Sequence, residues 1–194
     1  MRALQHLRLA ALALVAMLAL ALPAAAQTFP TLSGRVVDDA RVLSAETREA
    51  LTARLAALEA RNSDQVVVAT VRSLEGHTIE DYANRLFRRW GLGQAAKNNG
   101  VLLLIAPNDR RVRIEVGYGL EGMLPDAVAK LIIENDLIPA LRAGRFDRAA
   151  SVGVDDITRA LTGGAADWQQ RTRAAPQTAN AHTQDLREAG EHRR

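Results

Sequence analysis

The stretch NNGVLLLIAPNDRRVRIEVGYGLEGMLPDA, residues 98–127, decides the fold. Its first part, Asn99 to Ala106, is an aliphatic run that is typical of a strand buried on both faces. After a turn, apolar and charged residues alternate from Arg111 to Val116, which predicts a hairpin strand with one covered and one wetter face. A loop with three glycines then leads to Pro125, a residue that suits the first turn of a helix.

The part of the chain before this stretch predicts one more buried strand between two helices. Residues 64–71 are rich in β-branched side chains and apolar at consecutive positions, as expected of a strand in the centre of a sheet. Ser44 caps the first helix, in which leucines recur at helical spacing up to about Arg61. Thr78 begins the second helix and Gly91 ends it.

Two further helices are predicted after the glycine loop. Pro139 is expected to kink or divide the helix that begins near Pro125, because proline lacks the amide proton that a helix interior needs. The last helix is expected from Phe146 to Leu161. The order of these helices and strands predicts a layered α/β domain.

The chain begins with the three parts of a secretory signal, residues 1–26. Arg2 and Arg8 form a basic start, Leu9 to Leu22 is an apolar run without charge, and three alanines end at the expected cleavage site after Ala26. The apolar run is shorter than the roughly 20 residues of a membrane-spanning helix. We therefore expect a periplasmic or secreted protein with no membrane anchor after signal cleavage.

The composition excludes several kinds of site. Cysteine is absent, which removes disulfides, thiolate catalysis and cysteine metal sites. His77 is the only histidine of the patterned region, so a multi-histidine zinc site is excluded. The chain has 25 basic and 22 acidic residues, and two of the basic ones lie in the signal. The arginines of residues 85–89 lie on the wet face of a helix whose aromatic side chains face the core, so no nucleic-acid partner is predicted.

Three blocks, together with residues 98–127, closely resemble the TPM domain family, which is named in part for a thylakoid lumen protein and a photosystem II protein. They are VVDDARVLS (residues 36–44), DQVVVATVRSLEGHTIEDYANRLFRRWGLG (residues 64–93) and GRFDRAASVGVDDI (residues 144–157). The resemblance implies a three-layer α/β/α sandwich around a small mixed sheet, usually exported or lumenal, with an acidic metal-binding site. Acid phosphatase activity is attributed to some members of the family, and others resemble assembly or repair factors.

These observations divide the chain into four parts. Residues 1–26 are the predicted signal peptide, residues 27–35 a short lead-in, and residues 36–162 the TPM domain. Residues 163–194 are polar and alanine-rich with little apolar periodicity, which predicts a disordered tail.

The glycine loop is the first candidate metal site. Gly117, Gly119 and Gly122 permit positive φ and close approach of the backbone, so the chain can turn tightly around something small. Glu121 and Asp126 offer the hard oxygen ligands that calcium and magnesium prefer. Asp126 alternatively stabilises the positive end of the helix that begins beside it.

A second group of candidates comes from the resemblance. Asp39 occupies the position of the family's characteristic aspartate, and Asp38 is a weaker candidate, since relatives often have asparagine there. Without the resemblance, the pair is interpreted as a solvated turn before a helix. Asp109 and Arg110 belong to a family-like turn, and an arginine there is suited to hold a phosphate bidentately. Arg110 is alternatively a hairpin charge in water.

Two other acidic features are interpreted as structural. Glu115 is expected to form cross-strand ion pairs with arginines on the polar face of its strand. Asp155 and Asp156 are expected to form an exposed pair on the last helix.

The sequence therefore predicts an exported, divalent-metal-dependent phosphatase that acts on phosphomonoesters. Calcium or magnesium is expected between Asp39, Glu121 and Asp126, where it would polarise a phosphoryl oxygen and lower the pKa of bound water. Asp109, Arg110 and the loop glycines are candidate phosphate or loop contacts, and no catalytic nucleophile is identified. The alternative is a non-enzymatic metal-binding module for the assembly or repair of envelope protein complexes, with an envelope protein as its partner. The lack of an evident phosphate cradle favours this alternative.

Overall fold

The computed structural model describes residues 28–164, so the predicted signal peptide and all but the first residues of the predicted tail lie outside the described part. The strands are β1 (Val36–Asp38), β2 (Gln65–Thr70), β3 (Gly100–Ala106) and β4 (Arg111–Val116). The helices are α1 (Ala45–Asn62), α2 (Ile79–Trp90), α3 (Asp126–Ile132), α4 (Ile138–Arg142) and α5 (Phe146–Arg159). Shorter elements are a 3-10 helix (Tyr118–Leu120) and π turns (Ile133–Leu137 and Ala160–Gly164).

The four strands form one mixed sheet in the order β1-β2-β3-β4. β1, β2 and β3 are parallel, and β4 is antiparallel to β3. One end of the sheet, which we name the carboxyl edge, is where β1, β2 and β3 finish and β4 begins. The other end, the amino end, is where β3 begins and β4 finishes, since Val101 pairs with Val116 there.

Side chains from the two faces of the sheet enter separate hydrophobic clusters. On β2, Val66 and Val68 belong to the cluster that includes α1 and α3 to α5, whereas Val67 and Ala69 belong to the cluster beneath α2. Every residue of β3 is buried, which confirms the interpretation of a strand covered on both faces. The structure confirms the predicted three-layer α/β/α sandwich around a small mixed sheet.

Capping contacts confirm the predicted starts of α1 and α2 and the predicted end of α2, whereas α5 ends two residues before the predicted Leu161. Ser44 accepts a hydrogen bond from the Thr47 amide (3.1 Å), and Thr78 accepts one from the Asp81 amide (3.2 Å). These bonds satisfy amide donors that have no partner in the first turn of a helix. Gly91 ends α2 with a φ of 59°, the left-handed conformation that glycine adopts without steric cost.

Pro139 divides the helical segment after the glycine loop, as predicted. The segment runs as α3, then the π turn Ile133–Leu137, then α4, and Ile138 donates its amide hydrogen to the Ile133 carbonyl. The wider π turn thus comes just before Pro139, which has no amide hydrogen to continue the regular bonding.

Two features of the structure, β1 and the packing of the lead-in, were not predicted from the sequence. β1 has three residues and is held by pairing to β2. The lead-in covers α2: Trp90 donates its indole hydrogen to the Pro30 carbonyl (2.9 Å), and Phe29 meets Tyr82 edge to face at 5.1 Å. Residues before the predicted domain boundary therefore belong to the packed structure.

Candidate functional site

Asp38, at the end of β1, organises the connection to α1. Its carboxylate accepts hydrogen bonds from the Thr70 hydroxyl (2.6 Å) and the Val42 amide (3.1 Å). The other oxygen accepts from the Leu43 amide (3.1 Å) and lies 3.5 Å from the Arg48 guanidinium. The side chain is only 2% exposed, so the interpretation of a solvated turn is wrong for this residue. Asp38 is a structural carboxylate whose acceptor positions are filled by the protein.

Asp39 has a different environment. Its amide donates to the Thr70 carbonyl (3.1 Å), which fixes the backbone against β2. Arg72 donates to the Oδ1 atom and to the carbonyl of Asp39, each at 3.0 Å. The side chain is 32% exposed, and its Oδ2 atom accepts no hydrogen bond from residues 28–164. Asp39 is therefore held in position and retains one oxygen without a partner among these residues.

Asp109 is brought to the same edge by the turn between β3 and β4. Its Oδ2 atom accepts from the Leu74 amide (3.1 Å), and the neighbouring Asn108 donates to the Arg72 carbonyl (2.8 Å). These two bonds attach the hairpin turn to the loop that follows β2. The loop also carries Arg72, so the partner of Asp39 is positioned by the residues beside Asp109.

The pKa of Tyr82, on α2, is affected by the negative charge of this region. Burial, followed by the negative charges of Glu75, Asp39 and Asp109, raises the pKa of its phenol to about 12. A phenolate there would be desolvated and close to negative charges. Asp39 and Asp109 therefore act electrostatically on one hydroxyl group, although they are 70 positions apart in the chain.

The carboxyl edge also opens into a groove of about 820 Å³, which we name the arginine groove. It lies on the face of the sheet that α3 to α5 cover, whereas Tyr82 belongs to the cluster on the α2 face. Arg110 and Arg111 line it from the hairpin, and Arg142 lines it from the end of α4. No acidic residue lines the groove, and within residues 28–164 none of these arginines forms an ion pair. The remaining lining is largely aliphatic and aromatic: Ile105, Val112, Ile133, Ile138, Leu141 and Phe146.

Sequence analysis identified only Arg110 of the arginines in this region. Arg72 directly follows the predicted strand of residues 64–71, and that position was a usable signal, since ligand sites lie beyond the carboxyl ends of parallel strands. Arg142 carried no comparable signal, because its approach to the hairpin depends on the π turn and on the packing of α4.

The glycine loop lies at the amino end of the sheet. Gly117 donates to the Gly100 carbonyl (2.8 Å), and Gly119 donates to the Asn98 carbonyl (3.2 Å). A Cβ atom at Gly117 would overlap the carbonyl oxygen of Asn98, and one at Gly119 would overlap that of Lys97. These glycines permit two backbone segments to lie in contact, and neither of them has a positive φ. Gly122 has open space around it and also has no positive φ.

This placement separates the three predicted metal ligands. Asp39 lies level with the end of β3, whereas the turn that carries Glu121 starts level with Gly100, roughly 16 Å away along the strand. Asp126 lines a small cleft with Arg113 on the outer side of β4, at least two strand spacings, or roughly 10 Å, from Asp39. A single cation between Asp39, Glu121 and Asp126 does not fit the structure. Within residues 28–164, no three potential metal ligands are grouped closely enough to hold an ion.

The two acidic features interpreted as structural also differ from expectation. Glu115 accepts from Arg113 of its own strand (3.1 Å) and from Asn84 of α2 (3.0 Å), so its ion pair is not a cross-strand pair. Asp155 pairs with Arg54 and is exposed, as expected. Asp156 is buried, and the expectation of an exposed pair is wrong for it.

The burial of Asp156 perturbs its ionisation. Desolvation raises the pKa of this carboxyl, the negative charge of Asp136 in the π turn raises it further, and Arg159 partly opposes both effects. The sequence carried a signal for this burial. Ala149, Gly153 and Asp156 recur at helical spacing on the buried face of α5.

The family model described as TPM domain matches residues 36–160. This chain belongs to the TPM domain family. Its structure is similar to the solution structure of the N-terminal domain of a protein from P. gingivalis, with 38% sequence identity and a TM-score of 0.63. That match covers 68% of this chain and 85% of the other.

Two more distant solution structures share the fold of this TPM-domain protein. One is the N-terminal domain of a protein from Corynebacterium glutamicum (17% identity, TM-score 0.54, covering 70% of this chain and 85% of the other). The other is a protein from the psychrophilic bacterium Bizionia argentinensis (21% identity, TM-score 0.54, covering 61% and 81%). No curated protein matches the chain. Across residues 28–164, no helix has the length and apolar character needed to cross a membrane.

Proposed function

We propose that this TPM-domain protein is an exported phosphatase that hydrolyses phosphomonoesters at the carboxyl edge of its sheet. The observation that carries the proposal is that Asp39 and Asp109 lie at that edge and both act on the Tyr82 phenol, while the turn that carries Asp109 continues into Arg110 of the arginine groove. The three arginines of the groove have no acidic partner in the described chain. Guanidinium groups bind phosphate oxygens through paired hydrogen bonds. The edge thus supplies both an anion-binding region and carboxylates that can accept a proton.

In this proposal Asp39 is the general base. Arg72 donates to its Oδ1 atom, so the attacking water binds to the Oδ2 atom. Asp39 takes a proton from the attacking water, the new oxygen–phosphorus bond forms, and the bond to the leaving alcohol oxygen breaks. That oxygen takes a proton from solvent, so the products are the alcohol and inorganic phosphate. The arginines stabilise the charge on the phosphoryl oxygens.

The predicted dependence on calcium or magnesium remains a prediction of the sequence. The residues chosen for it do not form one site, so the reaction above assigns no step to a cation. Asp39 and Asp109 are the carboxylates at the proposed site that a hard cation would contact. Neutralising them would remove two of the charges that raise the pKa of Tyr82.

The test is turnover of p-nitrophenyl phosphate by the purified protein and three variants. Asp39→Asn should reduce kcat by about 100-fold or more, the usual scale of a general base. Asp155→Asn, an exposed carboxylate on α5 that pairs with Arg54, is the matched control and should retain full activity. The third variant, Glu121→Gln, changes a carboxylate at the amino end of the sheet and so tests whether that end is the active site. Loss of turnover in Glu121→Gln with full activity in Asp39→Asn would reject the carboxyl edge as the active site.

A second candidate function, a non-enzymatic module that binds an envelope protein, is favoured by Tyr118. Among the described residues Tyr118 is the large hydrophobic side chain that stands exposed, at 79%, and it lies on the 3-10 helix that Gly117 and Gly119 hold against the start of β3. Tyrosines on rigid backbone often dominate protein interfaces. Photo-crosslinking from position 118 in cells should then capture one abundant envelope protein. Capture of the same protein in equal amount from position 88, on α2, would argue against this function.

A further inference from the structure

The arginine groove has a charged half that lacks counterions. Arg110, Arg111 and Arg142 come from two separate elements and line the same opening. Arg54 and Arg72, which are also exposed, each form an ion pair with an aspartate. The groove, in contrast, has no acidic lining residue. Its electrostatic complement is an anion that the protein itself does not provide.

The other half of the groove is apolar. Ile105 and Val112 of the hairpin face side chains from the α3 to α5 segment, including Leu141 and Phe146, which are only partly buried. An anion alone would contact the arginines and leave the apolar lining exposed to water. A ligand that also carries an apolar group would remove the lining from water, which is favourable by about 25 cal/mol per Å².

Two irregular backbone features form the groove. Ile133 and Ile138 stand at the two ends of the i to i+5 hydrogen bond of the π turn, and both line the opening. Arg110 has a φ of 54°, a left-handed conformation that is uncommon and unfavourable for residues other than glycine. Both kinds of irregularity are frequent at binding sites.

We propose that the arginine groove binds a phosphomonoester whose alcohol part is an alkyl chain or an aromatic ring, and so sets the substrate class of the site. The inference rests on the proposed phosphatase function and deepens it. A phosphomonoester is a dianion near neutral pH and presents three terminal oxygens, which suits three arginines better than a carboxylate with one charge. The apolar lining then selects for the organic part of the substrate.

Binding is measured by isothermal titration calorimetry of the full chain carrying Asp39→Asn, which prevents turnover and leaves the groove residues intact. The ligands are octyl phosphate below its micellar concentration, ethyl phosphate, octanoate and inorganic phosphate. Octyl phosphate should bind at least about tenfold more tightly than ethyl phosphate, because its longer chain buries more apolar area. It should also bind about tenfold more tightly than octanoate, because it makes more charge-assisted hydrogen bonds. Equal affinity of octyl and ethyl phosphate would overturn the inference.

The variant Arg142→Gln locates the binding. It should weaken octyl phosphate by about tenfold, whereas the matched control Arg88→Gln, an exposed arginine on α2, should have no effect. Thermal unfolding of both variants checks that they fold. If either variant does not fold, the comparison of the four ligands on the unmodified groove still tests the inference. Equal loss in both variants would mean non-specific attraction and would overturn the inference. If the groove binds octyl phosphate but the protein with its natural Asp39 shows no turnover, the phosphatase function alone is rejected. If the protein shows turnover but the groove does not bind octyl phosphate, this inference alone is rejected.

Discussion

Asp38 and Asp39 are adjacent in the chain but have different roles. The β pairing turns Asp38 toward the Thr70 hydroxyl and the amides of the following loop, so both of its oxygens have partners. Asp39 points toward Arg72 and keeps one oxygen free among the described residues. Thr70 at the end of β2 is 32 positions from Asp38, and Arg72 in the loop after β2 is 33 positions from Asp39. The difference between the two carboxylates therefore depends on the pairing of β1 with β2 as well as on the local loop.

The first residue-level prediction concerns Tyr82, whose pKa is raised to about 12 by burial and by nearby carboxylates. Asp39→Asn removes one of these charges and should lower the Tyr82 pKa by roughly a few tenths of a unit. Phenolate absorbance is followed against pH in a Tyr118→Phe background, where Tyr82 is the one remaining tyrosine. Asp155→Asn is the control. An unchanged Tyr82 pKa in Asp39→Asn, or an equal decrease in Asp155→Asn, would show that the Asp39 charge does not act on this phenol.

The second residue-level prediction concerns Asp156, whose pKa is raised by burial and by Asp136 despite the opposing effect of Arg159. The folded state binds this proton more tightly than the unfolded state, so the residue makes stability fall as pH rises from about 3.8 through the folded pKa. Asp156→Asn should therefore gain stability relative to the natural protein as pH rises from 4 to 7. Urea unfolding at several pH values measures this, and a pH-independent difference would contradict it.

At the scale of elements, the hairpin decides where the glycine loop lies. β4 returns the chain to the beginning of β3, so residues after Val116 meet residues 97–100. The segment from Gly117 to Gly119 can lie against the backbone of Lys97 and Asn98 because neither glycine has a side chain that would overlap it. Close packing of two backbone segments thus explains Gly117 and Gly119, but not Gly122.

Gly119→Ala tests this explanation, with Gly122→Ala as the matched control. A methyl group at position 119 would overlap the Lys97 carbonyl oxygen, and the repacking should cost about 1–3 kcal/mol of unfolding free energy. The same methyl at position 122 meets open space at an ordinary φ and should be neutral or stabilise the protein by about 0.4–1 kcal/mol. Chemical denaturation measures both. Similar small effects in the two variants would mean that the contact is not required.

Local signals predicted most elements of the fold. The caps at Ser44 and Thr78, the stop at Gly91 and the break at Pro139 each depend on residues within one or two turns of the chain. β1 was missed because three residues carry too little pattern and acquire their structure by pairing with β2. That omission also affected the predicted site. Because β1 is parallel to β2 and β3, Asp39 lies at the carboxyl edge, whereas the glycine loop that follows β4 lies at the amino end.

At the scale of the whole molecule, the sheet separates two surfaces. The carboxyl edge carries Asp39, Asp109 and the arginine groove, and the amino end carries the exposed Tyr118. The length of β3 lies between them, so a ligand at one end does not touch the other. A catalytic role for the first surface and a partner-binding role for the second are therefore compatible in one domain.

The same separation predicts that Asp39 and Asp126 act independently in the presence of calcium. They lie at least about 10 Å apart on different sides of the sheet, and substitutions at such distances usually add within about 0.3–0.5 kcal/mol. A shared ion would make them strongly coupled, because losing either ligand would abolish the binding that stabilises the folded state. The measurement is a double-mutant cycle of Asp39→Asn and Asp126→Asn, by urea unfolding with and without millimolar calcium. Additivity in both conditions is expected, and a coupling above about 1 kcal/mol that appears only with calcium would restore the single site that the sequence predicts.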